Sequence, residues 1–209
     1  MTPDIDELAA MIRAQQTDDQ RILVAIIGAP ASGKSHLSDR LYHHLGGDEA
    51  GAAVVPMDGF HFDDAILKQR GLLSRKGAPH TFDVGGLKRI LLALRDSPDE
   101  EIYVPVFDRA LEISRGSARA ISPRHRIILV EGNYLLLDQE PWNGLHGLFD
   151  LSVFLEVPEE TLRARLIDRW QGLGFDHQSA ITKAEHNDLP NALTVARSSK
   201  PATITITNV

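Results

Sequence analysis

The residues Gly28-Ala29-Pro30-Ala31-Ser32-Gly33-Lys34-Ser35 stand between an apolar run, Ile22 to Ile27, and a segment with Leu37 and Leu41 at helical spacing. No other feature of the chain constrains its fold as much. The pattern is G-x-x-x-x-G-K-[ST], and its spacing has a physical reason. The glycines let the backbone turn tightly enough for successive N–H groups to converge on one anion, and the following helix directs its positive end at the same point. With glycine near 7% of residues, the four fixed positions would coincide by chance in roughly one chain in a hundred of this length. Strand before and helix after lower that further. The residues predicted to hold phosphate are Gly28, Ala29, Ala31, Ser32, Gly33, Lys34, Ser35 and His36. Lys34 would reach the β- and γ-phosphates of a nucleotide, and the Ser35 hydroxyl would ligate Mg²⁺.

The rest of the chain alternates in the same way. Strand-like runs at Ala53 to Met57, Ile127 to Val130, Leu151 to Leu155 and Thr203 to Thr207 are separated by helical patterns at Lys34 to Leu45, Asp63 to Gln69, Val84 to Leu94, around Trp142 to Leu148, and Glu159 to Trp170. This βαβ alternation predicts an α/β fold with a mainly parallel sheet and helices on both faces. Thr2 to Gln15 reads as an additional helix, with Thr2 as N-cap, Pro3 at the first position, and Ile5, Leu8, Met11 and Ile12 on one face. Ala110 to His125 carries no clear period, and hairpin, irregular excursion and helix are all open there. At 209 residues, without internal repeats or linker-like tracts, the expectation is one domain spanning 1–209.

Composition narrows the partners. A formal charge of −7 disfavours nucleic acid and anionic membrane, whose binding is driven by basic surfaces. The apolar runs are strand-sized and the N-terminus is acidic, so neither export nor membrane insertion is expected. Zero cysteines remove disulfides and thiolate zinc sites and fit a cytoplasmic protein. Oligomeric state is not legible.

A phosphate loop serves kinases, switch GTPases and ATPases alike, so other residues must choose. Asp83-Val84-Gly85-Gly86 matches D-x-x-G of the GTPases, but it follows no apolar strand and no N-K-x-D motif occurs. It reads better as a turn into the next helix. The run Ala53 to Met57 ends on Asp58, which places a carboxylate at the carboxyl edge of the sheet, where ligands of α/β proteins bind. There it could accept a hydroxyl proton and orient the oxygen for attack on a γ-phosphate, or serve as a helix cap or turn residue. Glu131 ends the run Ile127 to Val130 and could order Mg²⁺ near Ser35. His43-His44 has no acidic or cysteine partners at ligand spacing and reads as a solvated helix end.

Asp58-Gly59-Phe60-His61, Arg75-Lys76-Gly77-Ala78-Pro79, Thr81-Phe82-Asp83 and Glu131-Gly132-Asn133-Tyr134, in this order, resemble the phosphoribulokinase, uridine kinase and bacterial pantothenate kinase family. The similarity runs from about Leu23 to the C-terminus. Among its members the chain is most similar to compact bacterial ones, some of them described as kinases of a fructose-transport system. Gly59 and His61 stand where uridine kinases carry serine and tyrosine, and the Arg-Lys-Gly stretch is closer to the pantothenate kinases. The resemblance implies a P-loop NTPase fold of three layers, α/β/α, with a five-stranded core, and an ATP-dependent kinase acting with Mg²⁺ on a hydroxyl of a small polar metabolite such as a nucleoside, pantothenate or a sugar. It places the catalytic aspartate on Asp58 and the acidic strand-end residue on Glu131. It implies a mobile lid at about 163–180, with Arg165 and Arg169 neutralising charge on the transferred group. Arg163 lies on the same helical pattern. His61, Arg75, Lys76 and Arg109 are implied as acceptor contacts, and nearness in sequence to the lid would allow Asn187 to Asn191 a role around the nucleotide base.

Overall fold

A computed structural model of the chain describes residues 3–17 and 19–208. Its elements run α1 (Ile5–Ala14), β1 (Ile22–Gly28), α2 (Lys34–His44), β2 (Ala52–Pro56), α3 (Asp64–Gln69), α4 (Val84–Asp96), β3 (Ile102–Asp108), β4 (Ile113–Ile121), β5 (Ile127–Gly132), β6 (Leu151–Glu156), α5 (Glu159–Gly172), α6 (His177–Lys183), α7 (Leu189–Ser198) and β7 (Ile204–Thr207). Five strands form one parallel sheet in the order β2-β5-β1-β6-β7, and β3 and β4 form a separate antiparallel hairpin. The expected α/β/α architecture is the observed one.

All seven residues of β1 are buried, as a central parallel strand covered on both faces requires. Its side chains alternate between two cores. Leu23, Ala25 and Ile27 pack with Val55, Ile128 and Val130 beneath Leu87, Leu91 and Leu94 of α4. Ile22, Val24 and Ile26 pack with Leu129 and Val153 beneath Leu8 and Ile12 of α1 and Leu41 of α2. No helix of the described residues is long and apolar enough to cross a membrane.

Four local expectations change. Thr2 lies outside the described residues; α1 is instead capped by Asp4, whose carboxylate accepts from Glu7 N–H at 2.9 Å while Glu7 accepts from Asp4 N–H at 3.1 Å. This reciprocal box satisfies two donors at once and stops the helix short of Pro3. Met11, expected on the buried face, is exposed. Trp142–Leu148 forms 3₁₀ turns, with Trp142 and Leu145 buried. The Asp83 turn holds: its carboxylate accepts from Gly86 N–H at 2.8 Å and caps α4, which begins directly at Val84. His43 and His44 remain a solvated helix end, but the expectation that they lack acidic partners is corrected: His43 meets Asp39 one helical turn away at 3.5 Å, and His44 meets Asp6 at 2.8 Å.

The segment that carried no sequence period is the hairpin. Along β4 only Ser114 and Ile121 are less than exposed, so alternation could not mark it. Its base is anchored by Val104 and Ile121, both buried in the main core, and the rest by side-chain to backbone bonding. Ser114 Oγ donates to Gly59 O, and Arg119 Nη1 donates to Val54 O on the open edge of β2. Gly59 is needed there: a Cβ would lie 2.3 Å from Pro105 O of β3.

Candidate active site

The phosphate loop joins β1 to α2 as its spacing required. Ala31 and Gly33 take positive φ, 63° and 92°, and Ser32 N–H bonds Ala29 O at 3.1 Å. A Cβ on Gly28 would lie 2.3 Å from Ser32 Oγ, so the tight return of the loop depends on glycine at its start. The helix begins at Lys34 with Gly33 as N-cap and no side-chain cap, leaving its first N–H groups facing the loop. Ser32 Oγ is buried without a hydrogen-bond partner, and Ser32 O accepts from Asn208 Nδ2 at 2.7 Å, so the segment after β7 braces the loop. Ala31 packs on Leu166 and Ile167 of α5, and Ala29 on Leu162 and Ala192. Helices α5 and α7 therefore rest directly on the loop.

Four polar side chains, Lys34, Ser35, Asp58 and Glu131, converge beside it. Ser35 Oγ donates to Glu131 Oε2 at 2.8 Å, across the junction of α2 and β5. Burial lowers the Lys34 pKa from the ordinary lysine value, with Arg169 and Arg109 acting in the same sense and Glu131 and Asp58 opposing. Asp58, in the 3₁₀ turn after β2, accepts from Arg109 Nη2. Burial acts to raise the Asp58 pKa, but His61, Arg109, Lys34 and Arg169 together outweigh it and the net direction is down. The His61 share requires an imidazolium, and burial depresses the His61 pKa, so at neutral pH that share fades and Arg109, Lys34 and Arg169 are the cations that remain.

Of the acceptor candidates, His61 and Arg109 contact Asp58, and Arg75 and Lys76 are held by other partners. His61 Nδ1 donates to Asp58 O at 2.8 Å, which leaves Nε2 as an acceptor, and the ring lies 4.0 Å from that of Phe82 and 4.9 Å from that of Phe107. Lys76 Nζ bonds Asp64 Oδ1 and Glu112 O, both at 2.8 Å. Arg75 donates to His186 O at 2.9 Å and to Asn191 Oδ1 at 3.3 Å, and Asn187 Nδ2 donates to Lys76 O at 3.0 Å. Asn187 and Asn191 thus tie the C-terminal helices to the Arg75–Lys76 loop; among the described residues neither makes a hydrogen bond to the phosphate loop. Burial beneath this cluster raises the Tyr134 pKa, and its hydroxyl donates to Gly77 O at 2.7 Å.

The structure does not gather every predicted residue. His36 is exposed on the first turn of α2. Arg165 is half-buried on α5 and has no ion pair among the described residues. Arg163 is held by Glu185, at 2.5 and 3.0 Å. Arg169 is exposed, but its charge is felt at Lys34, Asp58 and Asp188. The sequence reading also missed how the helices over the site are joined. Trp170 Nε1 donates to Asp188 Oδ2 at 2.6 Å, and Lys183 Nζ sits 4.6 and 4.7 Å from the Trp170 and Phe175 ring centroids. Burial raises the Asp188 pKa against these neighbours. No local pattern marks such contacts between elements.

Relatives supply the family. No family model matches the chain. A Schizosaccharomyces pombe protein provisionally named a uridine kinase is 33% identical over 204 residues, covering 90% of this chain and 85% of that protein. The chain belongs to the family of P-loop small-molecule kinases. A structure from Silicibacter sp. TM1040, provisionally described as a fructose transport system kinase, matches with a TM-score of 0.92 and 42% identity over 98% of this chain and 99% of that one. A pantothenate kinase of Yersinia enterocolitica is 26% identical over 164 residues, covering 74% of this chain and 52% of that enzyme. A P-loop kinase is a phosphotransferase that takes ATP and delivers phosphate to a hydroxyl. Within that family, the cluster of Lys34, Ser35, Asp58 and Glu131 has the chemistry such a transfer needs: amides and a cation for phosphate, oxygen ligands for a hard metal ion, and a carboxylate for a proton.

Proposed function

We propose that the protein transfers the γ-phosphoryl group of ATP to a hydroxyl of a small polar metabolite bound between Asp58 and the β3–β4 hairpin. The chain acts as one cytoplasmic domain over 1–209, with 163–180 moving as a lid, and needs no nucleic-acid or membrane partner.

Loop amides from Gly28 to Lys34 hold the phosphates, and the Lys34 ammonium reaches their distal oxygens. Ser35 and Glu131 offer two oxygens only 2.8 Å apart, and no cluster of three or more His, Cys, Asp or Glu is present among the described residues. That donor set fits Mg²⁺, which keeps most of its shell as water and phosphate oxygen. Bound there, the ion would offset phosphate charge as the β–γ bond is broken. Asp58 receives the acceptor's proton while the acceptor oxygen bonds to the γ-phosphorus and the bond to the bridging oxygen breaks, releasing ADP. Arg169 and Arg165 offset charge on the oxygens of the group in transit.

The observation that carries this reading is the position of Asp58. It stands at the end of β2 within the electrostatic reach of the phosphate-loop lysine, and a low carboxylate pKa keeps it ionised at neutral pH. The test is ADP formation from MgATP with nucleosides, pantothenate, ketoses, hydroxy acids and sugar phosphates, with the product weighed by mass spectrometry. A product heavier by one phosphoryl group is expected with at least one acceptor. ADP formation indifferent to every acceptor would instead indicate an ATPase.

A further inference from the structure

The β3–β4 hairpin reaches over the site, and charges fasten its tip. Arg109 bonds Asp58, and three residues on, Glu112 holds Lys76 through its carbonyl at 2.8 Å and its carboxylate at 3.6 Å. Asp108 Oδ1 accepts from Ala110 and Leu111 N–H and shapes the turn between them.

This is a poor arrangement for a base. A guanidinium on Oδ2 opposes proton uptake by the carboxylate, so Asp58 becomes a stronger base when Arg109 leaves it. The Arg109 side chain is 60% exposed, and its alternative to Asp58 is therefore something arriving from solvent. The neighbours define what that is. The Arg75 guanidinium rests on two neutral oxygens and has no carboxylate partner among the described residues. Lys76 is already paired with the carboxylates of Asp64 and Glu112, which leaves Arg75 and Arg109 as the cations for an incoming anion, and His61 offers the neutral acceptor Nε2. Guanidinium and ammonium groups bind anions; a neutral imidazole nitrogen accepts from a hydroxyl.

We propose that the acceptor carries an anionic group, a carboxylate or a phosphate, in addition to the hydroxyl it presents for phosphorylation, and that Arg109 reads this group by exchanging Asp58 for it. Binding of the correct acceptor then frees the base, while a neutral acceptor leaves the Arg109–Asp58 pair closed. The inference rests on the kinase reading above and narrows its substrate class.

Matched pairs test it: pantothenate against panthenol, glycerate against glycerol, and fructose 6-phosphate against fructose. In each pair the anionic group is exchanged for one bearing a hydroxyl, so the position phosphorylated is read from the product, and the three together separate carboxylate from phosphate. In the wild-type protein the anionic member of a productive pair should lead by about 10- to 100-fold in kcat/KM, the worth of a charged hydrogen-bonded contact. Arg109→Ala should shrink that lead to about threefold or less, chiefly by raising KM for the anion, and Arg109→Lys should restore part of it, having the charge without the fork. Arg109→Gln serves as a second uncharged variant if alanine loosens the hairpin tip. A neutral member that equals its anionic partner in the wild type overturns the inference and leaves the kinase reading standing, as does an anion preference that survives in both uncharged variants. Absence of phosphorylation with every compound, in these pairs and in the wider screen, overturns both.

Discussion

Arg21 gives the sharpest stability prediction. Its guanidinium is 2% exposed and faces five backbone carbonyls: His125 at 3.1 Å, Leu94 at 3.4 Å, Ser97 at 3.1 Å, Glu100 at 2.7 Å and Ser122 at 3.1 Å. Five N–H donors meet five acceptors, and the end of α4 is joined to the turns before β3 and β5. Ser97 O and Ser122 O also accept from Glu100 and His125 N–H. Leu94 O has no helical donor because Pro98, four residues on, lacks an N–H. Among the described residues no other donor reaches Glu100 O or His125 O. Arg21→Met keeps much of the stem and strands these three carbonyls, at about 1–2 kcal/mol each, or about 3–6 kcal/mol in all. With a urea m-value of about 2 kcal/mol/M, the midpoint should fall by about 1.5–3 M. Arg21→Lys, with three donors on a point charge, should lose roughly half as much. A midpoint shift below about 0.3 M for Arg21→Met at unchanged m would refute the reasoning.

Three further outcomes are expected. Lys34→Ala should keep its melting temperature within about 2 °C and lose phosphotransfer by at least about 10²-fold, because its partner is the nucleotide and not the fold; near-normal turnover would contradict this. Gly59→Ala should lower stability by about 1–3 kcal/mol, since its Cβ would press on Pro105 O, and a neutral result in urea unfolding would show that the hairpin yields. In a pH profile of kcat/KM the acidic limb should lie below about 4, the usual aspartate value, because the cations around Asp58 hold its pKa down. Arg109→Ala removes one of these cations and should move that limb to higher pH; a shift to lower pH would contradict the assignment.

The parts legible in the sequence were those whose chemistry is local. The phosphate loop could be read because strand, glycine spacing and helix lie within twenty residues; four of the sheet strands could be read because burial makes them short apolar runs, and the edge strand β7 through its alternating Ile and Thr. Asp58 and Glu131 were legible as strand ends. The hairpin was not, since an exposed β4 held by Ser114 and Arg119 has no apolar alternation to show. Nor was Arg21, where the partners are backbone oxygens 73 to 104 residues away and any side chain could supply them. The pairing of Arg109 with Asp58, 51 residues apart, arises only when the hairpin folds back over β2.

The role of Asp58 is the center of the account, and Asp58→Asn tests it most directly. The substitution keeps the size and the backbone carbonyl that His61 uses, but removes the charge and the basic lone pair. Single-turnover phosphotransfer with the best acceptor, run beside a calorimetric titration with ATP on the same preparation, should show transfer falling by about 10²–10⁴ with ATP affinity within about threefold of wild type. Transfer retained at wild-type rate by a folded Asp58→Asn protein would contradict the account.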